Sequence, residues 1–410
     1  MRKVKNLVRC LVLIGIMAFI LAGCGTSKKE TQMVSLVLGV HKYFPKITLN
    51  SESIYNQVYD TCYSYGNCSA VVIDGKPFVA FDYNIEDTEK KIDETKRKQI
   101  AKQNTEQIIS SITSISAKEP EIDTISAIKL SANTLNSSNK KGKKNMIIYD
   151  SGLSTKSILN FSKYNIIDIP VDEIVKELSK EYAIPDLAEI DEIRWVGLGE
   201  TCGEQEELTD KYKHRLQEIW DAILKKGGAK KVVFEKTPVS NEENDMELPK
   251  CSTVPVIEDK ISFKEGKISS ITKYSDNTSV KFVADKADFI DEKAAAKALE
   301  PIVKYLKDNM EEKIYIFGMT ATAPGGDNGI KLSKQRAEKC KSLLVRKGVN
   351  KNQLICKGLG QFDNSLRVRD TDENGNLIEK LAIKNRAVVF IKSGHKLVDE
   401  LLKCAESEKK

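Results

Sequence analysis

The chain has 410 residues, 40% hydrophobic and 30% charged, with a formal net charge of +6. That length exceeds what one ordinary hydrophobic core organises, so two domains with appendages are expected. Four of the positive charges (Arg2, Lys3, Lys5 and Arg9) precede residue 24 with no acid among them, so the body is nearly neutral and carries no nucleic-acid footprint.

The basic head runs into the apolar stretch Leu11 to Ile20 and then Leu21-Ala22-Gly23-Cys24. The stretch is short for a spanning helix, and its flanks are those of an export signal. Leu-Ala-Gly-Cys resembles the lipobox of bacterial lipoproteins. That resemblance implies a signal peptide over 1–23, lipidation of Cys24, and an extracytoplasmic body anchored to the cell membrane. An uncleaved anchor is the competing reading and puts the body on the same side. Two acyl chains meet the count for stable attachment, and 24–32 reads as a tether. Seven further cysteines follow. Cys340 and Cys356 fall in core patterns, Cys62 and Cys68 are close enough in sequence for a local bridge, and mostly free thiols are expected. No CxxC or paired Cys/His spacing suggests zinc, so neither metal nor cofactor is expected.

Residues 33–235 alternate between strand and helix patterns. Met33 to Val40 is a continuous apolar run, the kind buried on both faces of a parallel sheet. Ala70 to Ile73 and Phe78 to Phe81 flank Asp74-Gly75 as a hairpin. A helix carrying Ile100, Ile108, Ile109 and Ile112 follows, then one capped by Asp123, then strand Asn145 to Tyr149 ending at Asp150. Strand Ile166 to Ile169, a helix from Val171, strand Trp195 to Gly199, helix Glu207 to Lys226 and strand Lys231 to Phe234 complete a doubly wound, mostly parallel α/β pattern. Sites in such sheets lie at the carboxyl ends of the strands.

At those ends Met146 to Thr155, with Asp123-Thr124 before a helix, is similar to the von Willebrand A-type domain. The metal site of that family needs an Asp-x-Ser-x-Ser loop after the first strand, because Mg²⁺ takes hard oxygen ligands. Here the place holds Gly39-Val40-His41-Lys42-Tyr43, which implies a metal-free relative acting as a protein-interaction module. No GxSxG, HExxH or GxxxxGK[ST] motif is present, and nothing near Cys202 in sequence activates its thiol, so no catalytic residue is assigned.

Residues 236–275 read as an acidic linker followed by a small hairpin, and 276–393 as a second, α+β domain. Its predicted elements are strand Ser279 to Val283, a helix over Glu292 to Asp308 capped by Asp291, strand Ile314 to Gly318, a helix opening at Leu332-Ser333-Lys334-Gln335-Arg336-Ala337, strand Leu354 to Cys356, and strand Asn385 to Ile391. Residues 394–410 read as a polar tail.

These pieces resemble the OmpA-like peptidoglycan-binding domain, whose pattern is a GxTD loop, an LSxxRA helix, a GxG turn and a closing NRR strand. The resemblance implies a peptidoglycan stem peptide as ligand, most often through diaminopimelate. Arg336 would fork onto its carboxylate, with Arg386 and Asn385 in support, and the GxTD loop would take its ammonium. The loop here is Gly318-Met319-Thr320-Ala321, so Thr320 is kept and the acid is missing. Asp327 in the same loop is the expected substitute, provided the backbone brings it round. Two readings stand: a membrane-tethered protein that binds peptidoglycan, and an interaction scaffold whose OmpA-like domain no longer does so.

Overall fold

The computed structural model describes residues 30–46, 52–87, 93–235, 247–261, 263–264, 266–323 and 329–406. The signal segment, Cys24, most of the tether, the acidic run 236–246 and Asp327 lie outside the described residues.

Strand β1 (Gln32–Gly39) is buried from Met33 onward, as its unbroken apolar run requires. It lies parallel between β2 (Asn67–Ile73) and β4 (Lys143–Tyr149). Strands β5 (Glu192–Val196) and β6 (Val232–Phe234) extend the parallel array, and β3 (Phe78–Asn84) turns back antiparallel on β2. The order is β3-β2-β1-β4-β5-β6. One face packs on α1 (Glu52–Tyr63) and α2 (Glu94–Ile112), the other on α3 (Thr124–Ser137), α4 (Val171–Lys180) and α5 (Asp210–Lys226). Asp93, Asp123 and Thr209 cap α2, α3 and α5 by accepting from backbone N–H groups of the first turn.

Ile166–Asp168 forms a 3₁₀ turn, not the strand expected there. Both edges of β4 are already taken by β1 and β5, and Asn165 donates to Asp168 Oδ2 at 2.7 Å, a local bond that competes with a ladder.

After the short hairpin β7 (Phe263–Lys264) and β8 (Lys267–Ile268), the second domain builds a four-stranded sheet from β9 (Ile271–Ser275), β10 (Ile314–Met319), β11 (Leu354–Gly360) and β12 (Ala387–Lys392), in the order β11-β10-β12-β9. Helices α6 (Glu292–Asp308) and α7 (Ile330–Arg346) cover one face. Helix α8 (Glu379–Asn385) precedes β12. The first strand is thus β9; residues 279–283, expected in that role, instead bury Val280 and Phe282 under the helices, and Phe282 forms only an isolated bridge with Phe289.

The expected polar tail is also corrected. Leu397–Glu406 is a helix, α9, whose Leu397, Val398 and Leu401 are buried against Phe317, Met319, Leu359, Val389 and Ile391. With Leu366 it covers the second face of the small sheet. Two apolar pairs set among Asp, Glu and Lys read as polar by composition yet make one stripe.

The two domains touch. Lys273 on β9, 3% exposed, donates to Leu366 O at 2.7 Å and to Asp168 Oδ2 of the front domain at 3.2 Å. Asn165 N donates to Arg367 O at 2.9 Å. Burial pushes Lys273 below its ordinary pKa, while Asp168, against its own burial, is held low by the Lys273 charge.

Leu401→Ala should cost about 2–5 kcal/mol of stability in urea unfolding, the price of a cavity in a packed face. A change within about 0.5 kcal/mol, normal for a surface position, would return this segment to the status of a tail.

Candidate functional site

At the carboxyl ends of the larger sheet, Gly39 closes β1 and Asp150 follows β4. A Cβ on Gly39 would stand 2.5 Å from Asp150 Oδ1 and 3.2 Å from Tyr149 O, so only glycine lets the carboxyl in. Asp150 Oδ2 accepts from Gly152 N at 2.9 Å and from Thr124 Oγ1 at 3.3 Å. Burial pushes its pKa up to about 6 in spite of those donors. His41 is buried, its Nε2 lies 3.0 Å from Glu119 O, and burial lowers its pKa, so it is a neutral ring fixing a loop. Asp74 fixes the same loop by accepting from Gly75, Lys118 and Glu119 N–H groups. The space between His41, Asp150 and Cys251 is a cavity of about 10 Å³. Cys202 is buried, and burial pushes the Cys251 thiol up to about 11, the opposite of an activated nucleophile. Cys62 and Cys68 are free, buried thiols. No group of three or more His, Cys, Asp or Glu among the described residues is placed to hold a metal ion.

The second place is the mouth of α7. Gly318 on β10 and Gly358 on β11 let the helix backbone lie directly on the strands. A Cβ at these positions would meet Ser333 O at 1.8 Å and Ile330 O at 2.4 Å. Ser333 Oγ fastens the contact, accepting from Gly360 N at 3.1 Å and donating to Ile330 O at 2.9 Å. The helix is therefore fixed in depth, and Arg336, one turn beyond Ser333, is carried inward to 4% exposure. Its Nε donates to Lys286 O at 3.0 Å and its Nη2 to Val283 O at 3.3 Å, with the guanidinium 5.3 Å from the Phe282 ring centroid.

No described carboxylate lies within 4 Å of Arg336. Lys273 and Arg367, the other fully buried cations of this domain, each have one: Asp168 at 3.2 Å and Asp370 at 3.6 Å. Burial lowers the Arg336 pKa, opposed by Asp276 and Asp285 at longer range.

The other expected residues fall as follows. Thr320 N donates to Gly360 O at 2.9 Å, while its Oγ1 is buried without a hydrogen-bond partner among the described residues. That oxygen would lie 2.3 Å from a Cβ on Gly329, which takes the left-handed conformation (φ 66°) at the helix N-cap. Asn385 is fully buried and turned to the neighbouring loop, exchanging bonds with Val368 N at 3.0 Å and Val368 O at 2.8 Å. Arg386 donates to Asp276 Oδ2 at 2.8 Å and to Glu379. Its charge is close enough to depress Arg336 further. Arg386 is thus committed to two carboxylates of its own domain, and Asn385 to the 361–378 loop.

The sequence reading missed Arg367 and Asp370. Arg367, 2% exposed, donates to Thr320 O at 2.5 Å and Gly360 O at 3.4 Å. Asp370 takes Thr322 N at 2.9 Å and Thr322 Oγ1 at 2.5 Å, so this pair sets the 320–322 loop. The available signal was an Arg and an Asp three apart between the Leu354 to Cys356 strand and the closing motif.

The family model of the OmpA family matches residues 281–376. Among solved structures, the peptidoglycan-associated lipoprotein from Burkholderia pseudomallei is 22% identical, covering 28% of this chain and 88% of that one at a TM-score of 0.22. The periplasmic domain of Helicobacter pylori MotB (residues 97–256) is 19% identical over 34% and 92%, at 0.24. An outer membrane protein from Borrelia burgdorferi B31 is 20% identical over 32% and 94%, at 0.22. No curated protein matches.

Asp150 gives a pH test. Its folded pKa is raised from 3.8 to about 6, so the folded chain binds the extra proton and the ionised form costs stability above pH 6. Stability from this group rises as pH falls from 7 toward 4. Asp150→Asn should stabilise by about 2–3 kcal/mol at pH 7.5 and much less at pH 4. A variant less stable than the parent at pH 7.5 would contradict this.

Proposed function

We propose that this chain, which carries an OmpA-like domain in its C-terminal part, is a lipid-anchored envelope protein that binds peptidoglycan non-covalently. The anchor is Cys24, and the front domain is a metal-free A-type module for a protein partner. One observation carries the reading. Arg336 is a desolvated cation held by two neutral carbonyls, with no carboxylate within 4 Å among the described residues. A buried charge without a counter-ion is costly, and a ligand carboxylate removes that cost. A guanidinium with free N–H groups can take such a carboxylate in a fork. The stem peptide's diaminopimelate supplies one.

Its ammonium is served less well. Ala321 stands where the family has Asp, and Asp370 is committed to Thr322 and Arg367. Thr320 Oγ1, buried and without a partner among the described residues, is an acceptor at the loop, and Asp327 is the acid to test as the substitute. Losing one of two charged contacts lowers affinity by about a hundredfold, so binding is weak.

The internal bonds of Asn385 and Arg386 favour the second reading, a scaffold whose OmpA-like domain has become structural.

Retention of the mature protein on purified sacculi separates the two. The parent should be retained. Arg336→Ala, checked for folding by circular dichroism, should lose at least about tenfold in affinity, a change of about 1.4 kcal/mol. A parent protein that washes off leaves the scaffold reading.

A further inference from the structure

The parallel strands of the front domain begin at one pole, and the chain enters the fold there. Gln32 opens β1 opposite Lys143 at the start of β4. Lys143 N donates to Thr31 O at 2.9 Å, and a Cβ on Gly142 would stand 2.1 Å from the same oxygen. The 138–142 loop is thus pressed against the incoming chain. That loop and the first turn of strand after it carry Lys140, Lys141, Lys143 and Lys144.

The charges at this pole do not cancel. Glu30 lies 3.7 Å from Lys143 and Glu189 lies 3.8 Å from Lys144. Asp191 and Glu192 are taken by Lys230 at 2.9 Å and Lys231 at 2.8 Å. Lys140 Nζ donates to Ile85 O at 3.2 Å, and neither it nor Lys141 has a carboxylate within 4 Å among the described residues. Lys28 and Lys29 of the tether add to the excess. Glu86 and Asp87, exposed beyond Ile85, offset part of it and leave it positive.

The OmpA-like domain is attached elsewhere. Beyond β5, Glu206 lies 3.5 Å from His395, and Glu204 O accepts from Lys396 Nζ at 3.5 Å; further pairs run along α4. No hydrogen bond or ion pair among the described residues joins 138–144 to that domain. The eight residues of β1 separate the two poles of the sheet by about 26 Å.

We infer that the amino-end pole is a docking surface for anionic lipid headgroups, with Lys140, Lys141 and Lys143 on the membrane and the OmpA-like domain held out from it by the sheet. This rests on the reading of Cys24 as the lipid anchor and is independent of peptidoglycan. Residues 24–30 reach at most about 25 Å when fully extended, so a lipid on Cys24 keeps this pole, and no other, close to the bilayer. An anionic surface attracts exposed lysines within about a Debye length, roughly 8–10 Å at physiological salt. The acyl chains supply the hold, and the lysines set the orientation.

The test uses the full chain, expressed with its leader, purified from membranes and reconstituted in vesicles of phosphatidylcholine alone or with about a third phosphatidylglycerol, which is anionic. A water-soluble acetylating reagent followed by peptide mass spectrometry reads each lysine. Lys141 and Lys143 should react about fivefold more slowly on the anionic vesicles, and salt well above about 0.15 M should remove the difference. Lys347 and Lys351, exposed on the OmpA-like domain, should react alike on both. Lys140→Glu with Lys141→Glu should return Lys143 to its rate on neutral vesicles. Lys141 and Lys143 equally reactive on both vesicles, or a Lys143 still protected in the double variant, overturns the docking surface and leaves the anchor standing. A parent chain recovered in the soluble fraction, off both vesicles, overturns the anchor and the docking surface together.

Discussion

The close seating of α7 on β10 and β11 is the constraint from which the C-terminal architecture follows. Two glycines, Gly318 and Gly358, remove the side chains that would hold the helix off, and Ser333 ties its first turn to Gly360. At that depth Arg336 is largely covered, 4% exposed, rather than projecting into solvent as a surface arginine does. It is desolvated, and its charge is met by carbonyl dipoles of the 283–286 loop. Dipoles offset part of the lost hydration and leave the net charge in place. A site for an anion needs that imbalance.

The same domain shows what a settled buried cation looks like. Lys273 has Asp168, and Arg367 has Asp370 together with three oxygens of the 320–322 and 360 backbone and side chains. Both are structural pairs: one fixes the neighbouring domain, the other fixes a loop. Arg386 lies between the two types, half-buried and paired with Asp276 and with the exposed Glu379.

Much of the fold was legible because single physical rules acted alone. An unbroken apolar run had to be a strand covered on both sides, as β1 is. Asp123 and Asp291 had to cap helices, and both accept from the first-turn N–H groups. The Leu332 to Ala337 motif placed Arg336 within the opening turns of a helix, where it lies; its burial was not foreseen. Legibility failed where long-range competition decided. Ile166 to Ile169 is strand-like, yet no open edge of β4 remained for it. The apolar pairs of α9 meant nothing until a bare sheet face existed to receive them. The link between Lys273 and Asp168 spans 105 positions, and no local pattern announces it. At the site, the motif named Arg336 and Arg386 as candidates, but the direction of Asn385 and the places of Arg367 and Asp370 depend on how the 361–378 loop folds back.

The account depends on Arg336 being free to take a ligand carboxylate, and side-chain nitrogen-15 NMR of that guanidinium reads this most directly. On titration with a diaminopimelate-containing tripeptide, the Arg336 Nε and Nη resonances should shift and slow their exchange with water, in step with peptide occupancy. Resonances that stay in place while the peptide is in excess, or that already carry the signature of a carboxylate pair in the free protein, would contradict it.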